Sequence, residues 1–101
     1  MDVIKNFSLE SVPQHKILLV VTSPDDYSMS HMIVAEDYPD VGDMTVIEGY
    51  HCSCYGFDDT TWEAMTYTEK ELKAVLLNWL SSGMDTEKLL AQAWLLTGRT
   101  F

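Results

Sequence analysis

The string His51-Cys52-Ser53-Cys54-Tyr55-Gly56-Phe57 gathers the chain's two cysteines and one of its three histidines into seven residues. On an extended backbone alternate side chains share a face, so Cys52 and Cys54 point one way and His51, Ser53 and Tyr55 the other. One chemistry is zinc, which takes four Cys, His or carboxylate ligands. The two thiolates supply half of such a set. The remainder must come from His31, His15, an acid or the same pair of a second subunit, because no second Cys-x-Cys or His-x-His pair exists. The other chemistry is a thiol nucleophile, which needs a histidine base in reach. His51 faces away from Cys52, which leaves His31 or His15. Against both stands a plainer reading: two small free thiols packed under an aromatic turn. On that reading there is no metal site and no cofactor.

The carboxylates form a second pattern. Residues 17–69 contain no Lys or Arg but hold eleven acids: Asp25, Asp26, Glu36, Asp37, Asp40, Asp43, Glu48, Asp58, Asp59, Glu63 and Glu69. The net charge of −10 arises there, since that stretch carries −11 and the rest +1. Such a block repels nucleic acid and draws in basic protein surfaces. Calcium is not indicated, because no Asp-x-Asp-x-Asp-Gly loop with a distal Glu occurs. Pro24-Asp25 or Pro39-Asp40 with Glu71-Leu72-Lys73 mimics the acid-acid-lysine pattern of metal-dependent nucleases. That reading fails twice: the chain lacks a basic surface for a polyanion, and Glu71 and Lys73 fall on a helix by periodicity. The ordinary role for a run of acids is a solvated, solubilising face.

Val46 to Phe57, followed by acids, Trp62-Glu63 and Tyr67-Thr68, resembles a box found in small tailed-bacteriophage proteins, with Cys-Ser-Cys-Tyr-Gly-Phe as its specific part. The resemblance spans residues 46–72, about a quarter of the chain. It implies a phage origin. Those proteins have no assigned activity, so it implies no catalytic residue.

The elements that must hold these residues follow from apolar spacing. Lys16–Thr22 is a short β-branched run and reads as a buried strand. Ser23, Pro24 and Asp26 make a helix-start signal, so a short helix or a turn is expected over 24–31. Further strands are expected at His31–Ala35, at Met44–Tyr50 running on toward Cys52, and at Trp62–Tyr67. A solvated loop over 36–43 and a turn over 56–60 separate them. Thr68 and Glu71 form a capping box. Leu72, Val75, Leu76, Trp79 and Leu80 then trace one face of a helix. Gly83 sits where a left-handed C-cap belongs. Asp85 is placed to cap a second helix, Thr86 to about Leu96, stopping at Gly98. Residues 89–96 are apolar nearly all round, which points to a homodimer or partner contact through Trp94 and Leu95. Otherwise the N-terminal Val3, Ile4, Phe7 and Leu9 must cover that helix.

These readings converge on one α+β domain spanning 1–101: a small, mostly antiparallel sheet of three to four strands with two C-terminal helices packed on it. At 47% apolar with eleven aromatics the chain has ample material for a core. No run of about 18 apolar residues spans a membrane. The start lacks a signal peptide's basic and apolar regions, and cytoplasmic residence in a host cell is the expectation. The function expected is a non-catalytic, phage-type acidic inhibitor. It would bind a basic, nucleic-acid-handling host protein, as an anti-CRISPR or other anti-defence factor does by nucleic-acid mimicry. It would bind no nucleic acid itself. Its partner-binding residues are Asp37, Asp40, Asp43, Asp58, Asp59 and Glu63. The alternatives are a metal- or thiol-dependent protein organised by Cys52 and Cys54, and an oligomeric virion assembly protein using the last helix.

Overall fold

The structure is a computed structural model and describes residues 2–5, 7–24, 28–52 and 61–97. Five strands, β1 (Asp2–Ile4), β2 (Ile17–Pro24), β3 (Ser28–Glu36), β4 (Met44–Cys52) and β5 (Thr61–Tyr67), form one antiparallel sheet in the order β1-β5-β4-β3-β2. Two helices follow, α1 (Glu69–Ser82) and α2 (Asp85–Leu96). The α+β architecture read from the sequence is the one observed, with one more strand than expected. The extra strand is β1, too short to show a period of its own, which pairs with β5 as Asp2↔Thr66, Val3↔Met65 and Ile4↔Ala64.

Alternation along the strands feeds two cores. Met32 and Val34 of β3, Met44 and Val46 of β4 and Tyr67 of β5 are buried on one face. They pack there with Leu72 and Leu76 of α1 and Leu90, Ala91 and Trp94 of α2. Ile33, Ala35, Ile47 and Ala64 point to the other face and bury Val12 against it, with Phe7, Leu9 and Tyr38 alongside. This is what period two produces when both faces of a sheet are covered. Each fully buried aliphatic side chain contributes roughly 2 kcal/mol of transfer free energy. Leu72, Leu76 and Leu90, at 1%, 0% and 0% exposed, therefore fasten the helices to the sheet.

Several local expectations need correction. Among the described residues no helix follows Pro24: β2 extends through Pro24 and β3 begins at Ser28, paired as Pro24↔Met29 and Ser28↔Cys52; residues 25–27, where the alternative turn would fall, lie outside the described residues. Cross-strand pairing overrides the local helix-start signal there. Gly83 is not left-handed, with φ −70° and ψ 167°. Its requirement is space, because a Cβ would lie 2.8 Å from the Trp79 carbonyl oxygen and 2.9 Å from its Cα. Asp85 is not the cap of α2; Met84 occupies that position without a side-chain bond, and Asp85 lies in the first turn, where its charge suits the helix dipole. The N-terminal segment does not cover α2: Ile4, Phe7 and Leu9 pack on the opposite face of the sheet, and Val3, on the helix side, lies by Trp79 of α1. Instead α2 packs on β2, β3 and α1.

Candidate functional site

The acids of the β3–β4 connection sit on a loop built from its own backbone. Asp37 takes φ 52° and Gly42 φ 91°. Asp is among the few residues that tolerate the left-handed region, and glycine enters it freely. The Asp37 Oδ1 accepts from the Gly42 backbone N–H at 2.9 Å, and the Asp43 N–H reaches the Asp40 carbonyl at 3.1 Å. Beneath the loop the buried Thr45 hydroxyl donates to the Tyr38 carbonyl. The Tyr38 hydroxyl lies 2.8 Å from Ser11 Oγ, and its ring meets Phe7 edge-on. Lys16 Nζ donates to the Asp37 carbonyl at 2.8 Å. Asp40 is exposed and Asp43 half-buried. The loop is thus anchored to the N-terminal segment, and Asp37 shapes it as well as charging it.

Glu63 belongs to a different place. It lies on β5 directly opposite Glu48 of β4, in the row Val21, Met32, Glu48, Glu63 on the helix side of the sheet. Directly opposed side chains have Cβ atoms about 5 Å apart, and like charges so placed repel. Glu48 lies five residues beyond Asp43, nearly all of them in β4, a span of roughly 16 Å. The loop acids and Glu63 therefore do not form one tight cluster. Glu48 does not stand out in the sequence, because only the strand register reveals its pairing.

A cavity of about 140 Å³ opens beside this pair. Val3, Met32, Val46 and Met65 supply apolar walls, Trp79 of α1 and Tyr67 close it, and Glu48 and Glu63 line it. Partial burial, then the charges of Glu87 in the first turn of α2 and of Glu63, push the Glu48 carboxyl above its ordinary 4.5. The Tyr67 phenol is raised above 10 by burial first and then by Glu48, Glu87 and Glu71, and it donates to Met65 Sδ at 3.2 Å. Here carboxylates and apolar surface meet in a concave space.

The remaining sequence candidates are dispersed. Asp58, Asp59, Cys54 and the side chains of His51 and Cys52 lie outside the described residues, as do Asp25 and Asp26. His31 is buried at 5% exposure, its Nδ1 lies 3.0 Å from Thr22 Oγ1, and its ring centroid is 5.9 Å from that of Trp62. Among the described residues no group of three or more His, Cys, Asp or Glu is placed to hold a metal ion. Trp94 packs inside the chain's own core, whereas Leu95 and Leu96 face outward at 49% and 88% exposure. Among the described residues no helix is long and apolar enough to cross a membrane. The chain matches no protein-family profile, no curated protein and no solved structure.

Proposed function

We propose that this chain is a non-catalytic acidic binding protein that occupies a cationic surface of a host protein. That surface is one built for nucleic acid, so the chain acts as a competitive, anti-defence inhibitor of the anti-CRISPR kind in the host cytoplasm. The observation that carries the reading is the absence of any Lys or Arg from residues 17–69, the stretch that builds β2 to β5. Every formal charge contributed by those four strands and their connections is negative. A paired sheet holds its carboxylates at fixed spacing, so a cationic groove meets them with little ordering cost. The field also steers the encounter. Acids before β4, from Asp37 to Asp43, and midway along it, at Glu48 with Glu63 opposite, support a partner surface that extends along the sheet rather than a point contact.

The test is capture of host proteins on the immobilised chain at low and high salt. A nucleic-acid-binding protein is recovered at low salt, is released as salt rises, and loses its nucleic acid in proportion to added chain. Replacing Asp37, Asp40 and Asp43 by Asn together weakens that displacement. Recovery of only salt-insensitive partners, or recovery without displacement, refutes the reading.

A further inference from the structure

We propose that the cavity beside Glu48 and Glu63 is a receptor for a single lysine side chain of the basic partner, with the methylene stem between the apolar walls and the ammonium held between the two carboxylates. The inference rests on the functional reading above and names the anchor by which it operates. Size decides the class of guest. Small-molecule and cofactor pockets run from about 300 Å³ upward, so 140 Å³ is too small for one. A cavity of about 150 Å³ does hold a guest of benzene's size, and a four-carbon stem is of that order.

The lining decides the chemistry. Val46, Met65, Met32 and Val3 offer a slot with few polar partners for its length, which suits the aliphatic part of a long basic side chain. At its edge two carboxylates oppose each other across β4 and β5, Glu48↔Glu63. No base lies within the sequence from 17 to 69 to neutralise them locally. Like charges placed directly opposite destabilise a sheet, and a cation set between them removes the repulsion and gains two charge-assisted hydrogen bonds. Lysine fits better than arginine. A compact ammonium with three rotatable donors can serve two carboxylates at once, whereas a guanidinium prefers a coplanar, bidentate carboxylate. Glu87 adds negative potential at Glu48.

The experiment uses the intact chain with isotope-labelled methionine methyl groups and n-butylammonium as probe, with n-butanol as its uncharged counterpart. Met32 and Met65 line the slot, and Met84, exposed between the helices, is the internal control. Butylammonium is expected to shift the Met32 and Met65 signals saturably and leave Met84 unchanged. Butanol should bind at least about ten-fold more weakly, and each of Glu48→Gln and Glu63→Gln should weaken butylammonium about ten-fold. Butylguanidinium should bind more weakly than butylammonium. No saturable shift, equal binding of butanol, stronger binding of butylguanidinium, or indifference to both substitutions overturns the proposal. The broader reading fails separately: it falls if no salt-sensitive basic protein is captured, whatever butylammonium does.

Discussion

Asp37 shows why charge and structure must be separated residue by residue. Its backbone is left-handed and its carboxylate holds the Gly42 N–H. Asp37→Ala loses the bond and strains the backbone, so thermal or urea unfolding should show a loss of about 1–2 kcal/mol. Asp37→Asn keeps both features and should leave stability within about 0.5 kcal/mol, which makes it the clean way to remove the charge. Glu48 gives the opposite sign. Its carboxyl titrates higher in the folded chain than the ordinary 4.5. The folded state therefore binds the proton more tightly. This group's contribution is most favourable below pH 4.5 and is lost as pH rises through the elevated value. Glu48→Gln should flatten that part of the stability–pH curve. At neutral pH it should stabilise by a few tenths of a kcal/mol, because a repelled charge is gone. A stability curve that is the same for both proteins would contradict this.

At the scale of elements, local signals were legible where they agreed with pairing. The Thr68–Glu71 capping box forms as spaced: the Glu71 N–H donates to Thr68 Oγ1 at 3.2 Å and the Thr68 N–H to Glu71 Oε1 at 3.0 Å. Thr68→Ala should lower stability by about 1 kcal/mol and shorten the protected part of α1 in amide exchange. Gly83 shows a signal read for the wrong reason. The glycine ends α1, but because the chain passes against Trp79 rather than because φ is positive. Gly83→Ala should therefore cost about 1–3 kcal/mol through crowding, and Gly83→D-Ala should give no rescue of the kind a left-handed cap would show. β1 was not legible because its partner β5 is distant in sequence; the extension of β2 to Pro24 and of β3 back to Ser28 was not legible because hairpin pairing there competes with a local helix-start signal. The same holds for the candidate site. The acidic stretch and Glu63 stand out in the sequence, but Glu48 becomes their neighbour only through the β4–β5 register.

On the scale of the whole molecule, α2 is apolar on several sides because it is sandwiched between the sheet and α1, and Trp94 is consumed by that packing. A contact through the last helix would have to use Leu95 and Leu96. Sizing of wild type and Leu96→Glu should give equal elution volumes if the chain acts alone, and a later volume for the variant if these leucines join two copies. Association with a basic partner should be governed by total charge, so its on-rate should fall steeply with ionic strength while its off-rate changes less.

β3 sends Met32 and Val34 into one core and Ile33 and Ala35 into the other. A single ribbon of chain thus belongs to both layers, and neither layer can loosen without disturbing it. Its amides, and those of β4 beside it, should be the last to exchange with deuterium, and only on global opening of the chain. The helices and the Phe7–Val12 segment should then lose protection together rather than as separate units.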